Sequence, residues 1–257
     1  MSKPTIIISH DYLEDKFLQE LIRDLPEVFA TGKGELIYDG RNQLRRFLLP
    51  SGFVVIVKAY KHPNAFQRIC YSTFWKNKAV KSFIFAEKLL KMNIDTPSPI
   101  AAITYRNNIG LVDNYYFVST ENTNPDCLIL RDGHIENPQP LINALASFLI
   151  HLHELGFLHG DTNLSNFLYE DRGNGNYHFS VIDINRSRFL DRPTTKEEAL
   201  KNLSRLTHKR ELLHDLVSAY AKQRGWNIEE TVHKVLDLII SREKNKEFKH
   251  KLTHFFK

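Results

Sequence analysis

The run His-Gly-Asp-Thr-Asn-Leu-Ser-Asn at residues 159–166 sets a carboxylate, Asp161, five residues before an amide, Asn166. A second carboxylate, Asp183, ends the strand-like run Phe-Ser-Val-Ile-Asp. Asp and Asn offer hard oxygen ligands suited to Mg²⁺, and a carboxylate held beside a hydroxyl can take its proton. Phosphoryl transfer from a nucleotide needs little more: a cation on the donor phosphates, one or two Mg²⁺ ions and a base. Lys58, in Val-Val-Ile-Val-Lys-Ala-Tyr, supplies the cation, and Glu87 on the following helix is placed to pair with it. The turn Asp-Gly-Arg-Asn at 39–42 puts Gly40 between two strands, where backbone N–H groups approach phosphate closely. Taken singly, each residue has an ordinary reading. Asp161 suits a cap or turn, Lys58 a strand edge and Glu87 an exposed helix face; their order along one chain favours a site.

Those residues need elements to hold them. Residues 35–60 read as an antiparallel meander, Glu-Leu-Ile-Tyr, Gln-Leu-Arg-Arg-Phe-Leu-Leu and Phe-Val-Val-Ile-Val-Lys-Ala-Tyr, with Asp-Gly and Pro-Ser-Gly as turn chemistry. Asn77 to Ile94 has the spacing of an amphipathic helix, with Val80, Phe83, Ile84, Leu89 and Leu90 apolar, ended by Asp-Thr-Pro-Ser-Pro. Strands follow at Ala101–Tyr105 and Tyr115–Thr120. A helix from about Pro140 to Leu155 carries Leu141, Leu145, Phe148, Leu149 and Leu152 on one face and stops at Gly156. The polar turn before Tyr177 makes a small hairpin, and from about Thr195 the chain reads as helical. Strands, helix, strands and then helices imply two lobes joined near Ser119 to Asn124.

With the order in view, the set Lys58, Glu87, His-Gly-Asp with Asn166, and Ile-Asp-Ile-Asn resembles the protein-kinase-like fold. It is closer to the small-molecule branch, which has His-Gly-Asp where protein kinases have His-Arg-Asp. More narrowly, Asp39–Phe47, Val57–Asn64, Lys78–Ala101 and His159–Tyr169 resemble the bacterial lipopolysaccharide core kinases, those of 3-deoxy-manno-octulosonic acid (Kdo) and heptose. The resemblance spans about residues 30 to 205 and implies an α+β, two-lobed fold. Its N-lobe, residues 1–120, has an antiparallel sheet, one main helix and an N-terminal extension of about 30 residues. Its C-lobe, 121–257, is mostly helical. The resemblance also implies an ATP- and Mg²⁺-dependent phosphotransferase acting on a sugar hydroxyl of a glycolipid. Asp161 would be the base, Asn166 and Asp183 the Mg²⁺ ligands, and Lys58 the phosphate contact with Glu87 as its partner. Gly40, Arg41 and Asn42 would meet ATP, and the chain from Ser119 to Glu121 would form the hinge that receives adenine. Departures are the reduced glycine loop, Ile-Asn after Asp183, Asn185 where related sugar kinases often carry a second acid, and no Ala-Pro-Glu segment. The last argues against a protein substrate, and the first and third leave room for a nucleotide-binding pseudokinase scaffold.

Composition bounds the rest. The chain has 257 residues, 42% apolar and 25% charged, as an ordinary globular protein does. Two cysteines do not make a disulfide framework and exclude a zinc site built of thiolates. The histidines 151, 153 and 159 do not have the spacing of a helical zinc pair. The opening residues lack the apolar run of a signal peptide, and no stretch suits a membrane span; both favour a cytoplasmic location. Between Lys33 and Lys91 twelve Lys or Arg face only Glu35, Asp39 and Glu87, so this segment is strongly basic and the remainder net acidic. An anionic partner follows. A nucleotide or an anionic membrane surface at the inner membrane fits, while nucleic acid is disfavoured because the interleaved aromatics also suit packing. The cationic C-terminal end, with Phe248, Leu252, Phe255 and Phe256 near one face, is a second candidate for membrane contact.

Overall fold

The computed structural model describes residues 4–255, and of the C-terminal end the side chains only up to Glu247, Lys246 excepted. The expected apolar face of Phe248, Leu252, Phe255 and Phe256 therefore lies outside the described residues. The chain divides into two compact units between Thr123 and Asn124.

The first unit contains β1 (Thr5–Ile8), α1 (Lys16–Ala30), β2 (Glu35–Asp39), β3 (Gln43–Leu48), β4 (Val54–Ala59), α2 (Ala65–Thr73), α3 (Lys78–Lys91), β5 (Pro99–Arg106) and β6 (Val112–Thr120). Its antiparallel sheet runs β1-β5-β6-β4-β3-β2. The Pro-Ser-Gly turn works as its chemistry requires: Gly52 takes φ 82° and its N–H bonds the Leu49 carbonyl at 2.8 Å. Ala101, Ile103 and Tyr105 of β5 join the core under α1, whereas Ala102 joins the core under α3. This strand is thus buried on both faces, which explains its unbroken apolar run.

The first 30 residues are part of this unit rather than an appendage. β1 pairs with β5, and Asp15 caps α1 by accepting the Leu18 N–H at 3.0 Å. Leu18, Ile22 and Leu25 lie buried against Val55, Val57 and Ile103. Pro26 sits inside α1 and has no N–H for the Ile22 carbonyl four residues back. The buried Tyr105 hydroxyl fills that vacancy, donating to the Ile22 carbonyl at 3.0 Å with the Arg23 carbonyl at 3.2 Å. Burial pushes this phenol up to about 12, so it stays a donor. Tyr105→Phe leaves the carbonyl unsatisfied and is expected to destabilise the unit by about 1–2 kcal/mol, read as a lower urea midpoint at unchanged slope.

On α3 the buried face is Ala79, Ser82, Phe83, Ala86 and Leu89, while Val80 and Ile84 are half-buried and Leu90 is exposed. The small residues let the helix lie close on β5 and β6, so the contact stripe is turned away from the one that apolar spacing suggests. Residues 65–73 form α2 behind a capping box made by Asn64 and Gln67.

The second unit contains α4 (Ile129–Asp132), α5 (Gln139–Glu154), β7 (Phe157–Leu158), β8 (Phe167–Asp171), β9 (Tyr177–Val181), β10 (Arg188–Phe189), α6 (Lys196–Leu203), α7 (Arg210–Gln223) and α8 (Ile228–Phe255). α7 packs on both α5 and α8. Leu141, Leu145, Leu149 and Leu152 of α5 are buried, and Phe148 stacks on Phe179 at 5.1 Å, fixing the β8–β9 hairpin to the helix. No helix among the described residues is long and apolar enough to cross a membrane.

Candidate active site

The loop between β7 and β8 is built around His159. This imidazole is buried, and its two nitrogens hold different pieces of chain. Its Nδ1 accepts the Asp161 backbone N–H at 3.1 Å. Its Nε2 must then carry the proton and donates to the Ile182 carbonyl at 2.8 Å. One neutral side chain therefore ties the residue of the first carboxylate to the residue just before the second. Burial pushes His159 below the ordinary imidazole range, opposed by the Ile182 bond and by the nearby carboxylates of Asp183 and Asp161.

Asn166 closes the loop from the other side. Its Nδ2 donates to the Asp161 carbonyl at 2.8 Å, and its own carbonyl accepts the Ile182 N–H at 3.0 Å. With the amide nitrogen so used, the side-chain oxygen is the atom left for a hard cation. Asp183 is exposed and holds the left-handed conformation, φ 54° and ψ 45°, which a residue with a side chain adopts at a cost. Asn185 donates to Asp183 Oδ1 at 2.6 Å. Asp161, Asn166 and Asp183 are thus brought together within the second unit. No group of three or more His, Cys, Asp or Glu residues able to hold a metal occurs among the described residues. One exposed carboxylate and one amide oxygen do fit Mg²⁺, which takes one or two protein ligands and completes its shell with phosphate and water.

Gly160 explains why this loop reads His-Gly-Asp. A Cβ there would lie 2.2 Å from the Arg186 carbonyl oxygen, a backbone atom that cannot step aside cheaply. The chain after Asp183 passes against the loop at that point, and the Ser187 hydroxyl accepts the Gly160 N–H at 3.4 Å.

Behind the loop runs a buried polar chain that sequence reading missed. Tyr220 on α7 donates to His153 Nδ1 at 2.8 Å, and His153 Nε2 donates to Asn202 Oδ1 at 3.1 Å. Asn202 Nδ2 in turn donates to the His159 carbonyl at 2.8 Å. The available signal was a histidine, His153, on the apolar stripe of α5; its partners on α6 and α7 leave no mark in local spacing. Burial pushes His153 down to about 4, opposed by the Asn202 bond, and the Tyr220 phenol up to about 12. A histidine that folds neutral but unfolds with an ordinary pKa contributes stability above about 6.5, lost as pH falls toward about 4. The second unit should lose about 2 kcal/mol between about pH 7.5 and pH 5. Urea titrations at the two pH values check this, and His153→Gln should flatten the dependence.

In the first unit Lys58 lies on β4 opposite Leu44 and Phe117, with its Nζ 5.4 Å from the centroid of the Tyr60 ring. That ring stacks on Tyr115 at 5.3 Å, and its hydroxyl bonds Ser82 of α3 at 2.7 Å. The chain just after β4 is thus tied to α3 through Tyr60 and Ser82, and Glu87 is half-buried on the same helix. At the β2–β3 turn, the Gly40 N–H bonds the Asn42 carbonyl at 3.2 Å, and Asn42 Oδ1 accepts the Lys61 N–H at 3.3 Å. Gly40 and Asn42 therefore shape the turn, and the exposed Arg41 is its cation. Ser119 is buried inside β6 between Ile56 and Pro99, so backbone outside the ladder begins only after Thr120. Glu121 is held by Arg46 of β3, which donates from Nε at 2.6 Å and from a terminal nitrogen at 3.2 Å. Arg46 was not marked in the sequence, because its partner is 75 residues away.

No curated protein sequence matches the chain. Among solved structures, WaaP in complex with acyl carrier protein aligns over 95% of this chain and 98% of its own, at 17% identity and a TM-score of 0.56. The Rio2 kinase–ADP/Mg²⁺–phosphoaspartate complex from Chaetomium thermophilum aligns over 86% of this chain and 75% of its own, at 13% identity and a TM-score of 0.48. A divergent Toxoplasma kinase lacking the glycine-rich loop aligns over 84% and 77%, at 16% identity and 0.47. Residues 126–231, which include the His159 loop and Asp183, match the sequence model of the lipopolysaccharide kinase (Kdo/WaaP) family. The chain thus has an α+β, protein-kinase-like fold shared with WaaP along nearly its whole length, and its residues 126–231 are similar to the lipopolysaccharide kinase (Kdo/WaaP) family.

Proposed function

We propose that this chain transfers the γ-phosphoryl group of ATP to a sugar hydroxyl of a lipopolysaccharide core, of Kdo or heptose type, at the cytoplasmic face of the inner membrane. The observation that carries the reading is the His159 clasp, which places Asp161 and Asp183 about one neutral imidazole and ties Asn166 to the Asp161 carbonyl. Asp161 would orient the acceptor hydroxyl and accept its proton. Asn166 and Asp183 would hold Mg²⁺, which when bound offsets charge on the phosphates. Lys58 and Arg41 would contact the donor phosphates, and the chain at Glu121, held by Arg46, would border adenine. WaaP is described in complex with acyl carrier protein, and a carrier protein of that kind is a further partner in this reading.

The experiment is to incubate the chain with ATP, Mg²⁺ and a lipid A–Kdo acceptor and to weigh the extracted glycolipid. Gain of one phosphate supports the reading. Mg²⁺-dependent ATP binding without any transfer or hydrolysis would support the second reading, a pseudokinase scaffold. One observation favours that alternative: the Asn185 amide occupies an Asp183 oxygen where a second acid would add a metal ligand. Hydrolysis without transfer would instead direct the search to another small-molecule or protein acceptor.

A further inference from the structure

The helix α2 is built the wrong way round for a soluble surface. Its inward face is polar: Arg68 donates to the Val112 carbonyl at 3.2 Å and to Asp113 at 2.9 Å, and the Ser72 hydroxyl accepts the Val112 N–H at 2.8 Å. Tyr71 adds an edge contact with the Tyr115 ring at 5.9 Å. The outward face is apolar. Phe66 is 67% exposed and Ile69 54%, and the chain just beyond the helix adds Phe74 at 89% and Trp75 at 53%. None of the helix's residues is buried. Phe66 and Trp75 meet edge to face at 6.0 Å, so these side chains form one patch rather than scattered exposures.

The patch is anchored firmly at both ends. The capping box of Asn64 and Gln67 fixes the start of α2. After Trp75, the buried Asn77 caps α3 and donates to the Thr104 hydroxyl at 2.7 Å. An apolar surface held out by polar anchors is a stable feature of the fold, not a frayed end.

Charge along this stretch of the chain has one sign. Residues 40–86 contain no Asp or Glu, and Lys61 and Lys76, which flank the patch in sequence, are both exposed. Asp113 is the acid that faces α2, and it is paired with Arg68 and lies 3.9 Å from His62. Aromatic residues flanked by exposed lysines suit the boundary between anionic headgroups and acyl chains, where rings enter and cations stay outside. A second copy of the chain would bring the same positive charge to the contact and is disfavoured.

We infer that the α2 surface, with Phe66, Ile69, Phe74 and Trp75 as inserting side chains and Lys61 and Lys76 at its rim, docks the chain on an anionic lipid bilayer. This names the membrane-contacting element within the proposed function but does not depend on catalysis. The full chain should co-sediment with vesicles of phosphatidylethanolamine and phosphatidylglycerol, far less with phosphatidylcholine, and less in high salt. Phe74→Ser combined with Trp75→Ser should lower partitioning at least about tenfold, and Lys61→Glu with Lys76→Glu should also lower it. Trp75 and Trp226 are the two tryptophans, so Trp226→Phe leaves Trp75 as sole reporter. Its emission should shift to the blue on adding anionic vesicles. Equal binding by wild type and the Phe74/Trp75 variant overturns the inference, as does absence of vesicle binding. So does a Trp75 shift that follows protein concentration without lipid, or capture of acyl carrier protein in place of vesicles. ATP turnover measured on the same preparations keeps failure of docking distinct from failure of the kinase reading.

Discussion

Asp161→Asn is expected to lower phosphoryl transfer by about a thousandfold while leaving ATP affinity nearly unchanged. The substitution is close to isosteric, and every bond that holds the loop at this position is made by backbone. The Asp161 N–H donates to His159, and its carbonyl accepts from Asn166 Nδ2 and from the Asn163 N–H at 2.8 Å. None of these needs the carboxylate, so the loop should keep its shape and the loss should report the missing base. Single-turnover transfer and ATP titration together separate the two quantities. Transfer near the wild-type rate would remove Asp161 from this role.

Gly160→Ala should be as damaging by a different route. The added Cβ would sit 2.2 Å from the Arg186 carbonyl oxygen and 2.3 Å from its carbon, far inside van der Waals contact. Either the His159 loop or the chain after Asp183 must shift by an ångström or more. Because His159 grips both segments, a shift of one disturbs the spacing of Asp161 and Asp183. Misplacement on that scale costs on the order of a hundredfold in rate, and overpacking adds about 1–3 kcal/mol of destabilisation. Activity and thermal unfolding of the purified variant test both parts. An active, fully stable Gly160→Ala protein would mean that the two segments do not approach as closely as the structure places them.

The parts of the fold legible in the sequence were those in which local chemistry and burial agree. The β2–β3–β4 meander is bounded by Asp-Gly and Pro-Ser-Gly turns, and α5 carries its leucines on the face that α7 covers. What was hidden depended on distant partners. α1 contains a proline whose cost is offset by a tyrosine on β5, so no local rule announces a helix there. α2 has its polar face inward, against the pattern on which helix detection rests. At the site, Asp161, Asn166 and Asp183 stood out through their types and spacing. Their supports did not, because Asn202 and Tyr220 reach the loop from α6 and α7. The Tyr60–Ser82 hydrogen bond, which ties the chain just after β4 to α3, leaves no mark in local spacing either.

The most direct test of the central claim is transfer of labelled γ-phosphate from ATP, with Mg²⁺, to a purified lipid A–Kdo acceptor by wild type and Asp161→Asn in parallel. The account predicts label in the glycolipid with the wild type and a near-complete loss of it with the variant. Equal labelling by both proteins would contradict it.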